Sequence, residues 1–101
     1  MHQSSHKLFV LVDRTLSKPQ QAVQACHAVA EFALKYGREG WKHESLVLLG
    51  VDDHIDLERM WHDCMLVPHD RIGFREPHYN NRMTAVACYG CDDEVKELKL
   101  L

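Results

Sequence analysis

Residues 7–35 read KLFVLVDRTLSKPQQAVQACHAVAEFALK, and the reading of this stretch decides the fold. Lys7-Leu-Phe-Val-Leu-Val12 is an unbroken apolar run without period-2 alternation, the pattern of a strand covered on both faces in a parallel sheet. Ser17 follows as a natural N-cap, Pro19 falls in the first helical turn, and Gln20 stands three residues after Ser17 in a capping-box arrangement. The spacing predicts a helix over about Lys18 to Lys35, with Gly37 near its C-cap.

A second apolar run, Ser45-Leu-Val-Leu-Leu-Gly-Val51, comes next. Strand, helix and strand in this order imply a right-handed βαβ crossover. Further on, residues 53–65 place Ile55, Leu57, Met60, Trp61 and Cys64 near one side of a second helix, with His54, Glu58 and His62 on the other as a solvated face and Pro68 at or beyond its end. Ile72 and Phe74, then Met83 to Tyr89, predict a hairpin with EPHYNNR as a wide loop. Asp92 to Leu101 reads as a helical turn or two and a docked tail. The expectation is a single α/β domain over 1–101, with a four-stranded mixed β-sheet and helices on both faces.

Composition agrees with one globular core. The 101 residues are 46% apolar and 27% charged, and a chain of this size buries roughly 60 to 65% of its unfolded surface. MHQSSHK precedes only five consecutive apolar residues, too few for a secretory core or a membrane span, so a cytoplasmic protein with free thiols and no membrane contact is expected. The net charge of −3 gives no general attraction to a polyanion, and a nucleic-acid contact would need a local patch.

Within the first helix, Gln20, Gln24, His27 and Glu31 follow at 4-3-4 spacing and form one stripe. The expected packing face is the opposite one, Ala22, Val23, Cys26, Val29, Ala30 and Ala33. Arg14 and Lys18 flank the helix start, where free N–H groups favour an anion such as phosphate. The plain alternative is a solvated face carrying one histidine.

The string LFVLVDRTLSKPQQAVQACHA, Leu8 to Ala28, resembles the opening of the type II peptidyl-tRNA hydrolases, whose helix carries Gln-x-x-His-Ala, here Gln24, His27 and Ala28. Arg75-Glu76 resembles the family's Arg-Asp pair, Thr84 its threonine in the last strand, and the terminal VKELKLL its Leu-Lys-Leu tail. The chain departs from the pattern where Gln20 occupies the place of a family lysine, Lys18 being the remaining loop lysine, and where Pro77 to Asn81 replace an Asp-Ala-Gly stretch. The resemblance implies a metal-independent esterase, without cofactor, that cleaves peptidyl-tRNA at its 3′ end and forms a homodimer. It implies catalytic roles for His27, Glu76, Lys18 and Thr84, with Glu76 approaching His27 across a cleft. Substrate contacts would come from Arg14, Gln20, Gln24, Arg75, Tyr79, Asn81 and Arg82, with His78 also available to stack on terminal bases. A weakened relative that binds tRNA without turnover is the alternative, pointed to by Gln20. Cys88-Tyr-Gly-Cys91 admits a redox or zinc reading, but it lacks a second pair and closes a strand, so Cys88 is expected in the core and Cys91 at a turn.

Overall fold

The structure, a computed structural model, describes residues 7–37, 41, 45–62 and 69–101. Strand β1 (Lys7–Asp13) leads into helix α1 (Lys18–Tyr36), then β2 (Ser45–Val51), helix α2 (His54–His62), β3 (Arg71–Glu76), β4 (Arg82–Tyr89), a short helix α3 (Asp92–Val95) and β5 (Lys99–Leu100). Ser17 caps α1, its Oγ accepting the Gln20 N–H, and Gly37 closes the helix at φ 56°. Both ends therefore fall where capping chemistry puts them. Cys64 and Pro68, invoked for the second helix, lie outside the described residues.

The sheet has five strands in the order β3-β4-β1-β2-β5, not four. β1 and β2 are parallel, and the pairs β1–β4 and β3–β4 are antiparallel. The fifth strand, which the sequence offers only as a tail, is two residues long and pairs with Leu49 and Gly50. Two residues carry no readable period; contacts distant in sequence make them a strand. Arg14 donates to the Leu100 carbonyl at 2.7 Å, and the Leu101 N–H donates to the Leu48 carbonyl at 3.0 Å. Gly50 makes this possible, because a Cβ there would lie 2.0 Å from Arg14 Nε.

Alternation along the strands divides the core between two faces. Leu8, Val10 and Val12 pack with Ala25, Ala28 and Phe32 of α1, whereas Phe9 and Leu11 pack with Leu57 of α2 and Val95 of α3. Helices thus cover both faces, as expected.

The face of α1 that packs the sheet is not the expected one. Gln21, Gln24, Ala25, Ala28 and Phe32 are buried, while Ala22, Cys26, Ala30 and Ala33 are exposed and Val23 is 43% exposed. The helix turns inward the stripe carrying Phe32, and that stripe includes two glutamines with partners inside the fold. Gln21 Nε2 donates to the carbonyls of Arg14 and Leu16, tying the β1–α1 loop to the helix. Cys91, expected at a turn, is fully buried beside Cys88, and its thiol titrates well above the usual range because of the Cys88 side chain and burial.

Candidate active site

The most deeply buried polar cluster forms where the C-terminal end of β3 meets the start of β4, under the first half of α1. A bulge builds it. Phe74 pairs with Ala85 but Arg75 pairs with Met83, so Thr84 is the extra residue in β4. Met83 packs toward α2 and Ala85 toward α1. The inserted residue lets Thr84 and Ala85 both turn to α1, the re-aiming for which bulges are used.

Thr84 Oγ1 donates to Gln24 Oε1 at 2.7 Å, and Gln24 Nε2 donates to Glu76 Oε1 at 2.9 Å. The same amide nitrogen donates to Gln20 Oε1 at 3.3 Å. A carboxylate only accepts, so the Gln24 amide must present its nitrogen to Glu76 and its oxygen to Thr84. Gln24 and Thr84 are fully buried, and all hydrogen-bonding capacity of the amide nitrogen is used. The other carboxylate oxygen, Glu76 Oε2, accepts the His78 N–H at 3.2 Å and faces His78 Nδ1 at 3.0 Å.

These donors set the charge of the cluster. The Gln24 amide first, then the ring and backbone N–H of His78, pull the Glu76 carboxyl down from 4.5 to about 2. Three hydrogen bonds to the ionised form outweigh its partial burial. At neutral pH the site holds a fixed carboxylate without a bidentate arginine.

The adjacent pair Arg75-Glu76 splits across the sheet. Glu76 faces α1, whereas Arg75 grips Glu58 of α2 through both guanidinium nitrogens and donates to the Asn81 carbonyl at 3.2 Å. Asn80 and Asn81 both have positive φ, 56° and 58°. Asparagine tolerates this left-handed backbone better than other non-glycine residues, which gives Asn81 a local reason for its identity.

The resemblance implies that Glu76 approaches His27. The hydrogen bonds on Glu76 come instead from Gln24 and His78, and the exposed His27 ring stacks flat on Phe74, with centroids 4.4 Å apart and planes within 1°. Gln20 lies next to Gln24, and Lys18 is exposed at the first turn of α1. Arg14 is turned away to β5. Arg82 lies over the Tyr79 ring at 5.5 Å, with one terminal nitrogen 3.8 Å from Asp13 Oδ2.

Asp13 escaped the sequence reading. It is fully buried at the C-terminal end of β1; Oδ1 accepts from the Thr15 N–H and hydroxyl, while Oδ2 lacks a hydrogen bond among the described residues. Its available signal was a carboxylate ending an otherwise apolar strand. In the sequence His78 offers only a stacking surface, and nothing in its spacing announces its bond to Glu76.

A cavity of about 430 Å³ lies instead by the C-terminal ends of β1 and β2 and is lined by Arg14, Asp56, Arg59 and Lys99 among others. Its arginines are engaged, Arg14 with the Leu100 carbonyl and Arg59 with Asp56. The Glu76 cluster, where ionised and neutral partners converge, is therefore the candidate site. No helix among the described residues is long and apolar enough to cross a membrane. No protein-family model matches the sequence, and no curated protein matches it.

Proposed function

We propose that the chain is a cytoplasmic hydrolase of the type II peptidyl-tRNA hydrolase kind, cleaving the ester between a peptide and the 3′-terminal ribose of tRNA. The observation that carries this reading is the buried Thr84–Gln24–Glu76 chain of hydrogen bonds. It joins three residues that the resemblance singles out and that lie 52 and 60 positions apart in sequence. Ester hydrolysis needs a held water, a base for its proton and donors for the oxyanion. Glu76 supplies an acceptor ionised at neutral pH for water or for an imidazole; His78 supplies an imidazole bonded to it, and His27 one stacked on Phe74. Thr84 spends its proton on Gln24, so its part is to position that amide; Ser17 takes the Gln20 and Gln21 N–H groups and Pro19 has none, which leaves Lys18 as the oxyanion donor.

Phosphate contacts would be made by Arg14, Lys18, Arg75 and Arg82, with Tyr79 as a stacking surface. All three arginines have partners within the chain: the exposed Arg75–Glu58 pair is worth about 1 kcal/mol or less, whereas Arg14 would have to leave the Leu100 carbonyl and Arg82 the buried Asp13. The homodimer is part of the proposal. An apolar groove of about 370 Å³ between α1 and β2, lined by Ala22, Cys26, Val29, Ala30, Leu46 and Leu48, offers a second copy a surface to cover. Sedimentation of the wild type beside Ala30→Glu tests it, a monomeric wild type counting against the dimer.

One observation favours a second reading. Where the resemblance calls for a lysine, Gln20 is bonded to Gln24, which would leave a tRNA-binding protein without turnover. Release of N-acetyl-amino acid from N-acetyl-aminoacyl-tRNA, with EDTA present, separates the two. Turnover lost in Glu76→Gln supports the hydrolase; salt-sensitive tRNA binding without turnover in wild type supports the binding protein.

A further inference from the structure

We infer that His78, oriented by Glu76, is the general base of this site. The inference rests on the hydrolase reading and deepens it by assigning the proton transfer to a residue of the 77–81 loop.

Geometry separates the two imidazoles. His78 Nδ1 lies 3.0 Å from Glu76 Oε2, which also accepts the His78 backbone N–H at 3.2 Å. Because the carboxylate only accepts, the neutral ring carries its proton on Nδ1 and leaves Nε2 as a lone-pair acceptor. The side chain is 91% exposed, so Nε2 meets water. A carboxylate that fixes the tautomer and orientation of an imidazole, and stabilises the imidazolium when it forms, is the arrangement of catalytic dyads and triads.

The carboxylate is itself held. Gln24, fixed by Thr84, fills the other oxygen of Glu76, so positional order passes from the fully buried Thr84 to the exposed imidazole. His27 takes its place from Phe74, ring on ring, and suits a stacking surface for a base of the acceptor end. The other charges set against the loop among the described residues are Arg82, over the Tyr79 ring, Asp13 beside Arg82, and Arg75, which donates to the Asn81 carbonyl and is paired with Glu58.

The step balances without a further reactant. Nε2 of His78 takes a proton from water as the water oxygen bonds to the ester carbonyl carbon. Collapse of the tetrahedral oxyanion breaks the bond to the ribose 3′ oxygen, which receives the proton back from the imidazolium. The products are a peptide acid and tRNA with a free 3′ hydroxyl.

The test is the pH dependence of kcat/KM, from pH 5 to 9, on N-acetyl-aminoacyl-tRNA. Four proteins are compared: wild type, His78→Gln, His27→Gln, and His78→Ala with and without added imidazole. His78→Gln is expected to lose about 10²-fold or more in kcat together with the acid limb of the profile. Free imidazole should restore part of the rate of His78→Ala, whereas His27→Gln should raise KM and keep the acid limb. A wild-type profile and rate in His78→Gln, with the limb lost in His27→Gln, overturns the assignment and makes His27 the base. Absence of turnover in wild type overturns the hydrolase reading, and the base assignment with it.

Discussion

Glu58 and Glu76 are two glutamates on opposite faces of one sheet, and their surroundings differ in kind. Glu58, on α2, is held by the two-pronged guanidinium of Arg75, which lowers its pKa, and both side chains are partly open to water. Glu76 is 9% exposed and is held by an amide, a backbone N–H and an imidazole. An arginine neutralises a carboxylate and occupies its oxygens; neutral donors fix its position and leave its charge available. The α2 side is thereby built as a surface clasp, and the α1 side as a poised anion.

On that contrast Glu76→Gln should have the largest effect: a fall of about 10²- to 10³-fold in ester hydrolysis, the scale seen when one fixed electrostatic partner of a reaction is removed. Glu58→Gln should leave the rate within about twofold. Equal losses in the two variants would erase the distinction between the faces.

Gln24→Leu is expected to cost stability next. It strips the Thr84 hydroxyl and the Glu76 carboxylate of their shared partner inside the fold, at about 1–3 kcal/mol, or a fall of about 5 to 15 °C in Tm for a domain of this size. Thermal unfolding followed by circular dichroism reads it, and an unchanged Tm would mean that the buried network is not formed.

The Glu76 carboxylate also has a signature in pH. The folded-state pKa of Glu76 is depressed from 4.5 to about 2, so its contribution to stability is fully present above about pH 4.5 and is lost as pH falls toward 2. The Tm difference between wild type and Glu76→Gln should therefore be constant from pH 7 to 5.5 and shrink on acidification from 4.5 to 2. A gap that widens in that window would have the wrong sign.

The smallest effect belongs to the Glu58–Arg75 pair. A double-mutant cycle with Glu58→Gln and Arg75→Met should give a coupling of about 1 kcal/mol or less, screened by salt, because exposed pairs spend most of their Coulomb energy on ordering long side chains. A coupling well above that would make the clasp a structural anchor.

The same two faces show how far the chain could be read in one dimension. The β1–α1–β2 unit was legible because apolar runs, a serine cap, an early proline and a terminal glycine are local signals that act through backbone hydrogen bonds a few residues apart. The orientation of α1 was not. Counting Gln24 with Gln20, His27 and Glu31 as one polar stripe turns the helix outward, whereas partners 52 and 60 residues away make Gln24 an inward residue. The site was half legible: Gln24, Glu76 and Thr84 were singled out from the sequence and meet in the fold, but the link from Glu76 to His27 was not found and the one to His78 was not foreseen.

By itself the sequence determined the α/β class, the ends of α1, the β3–β4 hairpin and the residue types available for chemistry, since each depends on neighbours along the chain, although the ladder runs on to the Glu76–Arg82 pair inside the stretch expected as loop. Only the tertiary structure decided that a two-residue tail becomes a fifth strand, that a bulge turns Thr84 toward α1, and that Arg75 and Glu76 serve opposite faces. Those outcomes depend on which distant groups lie within about 3 Å, the range over which a hydrogen bond decides whether a polar side chain can be buried.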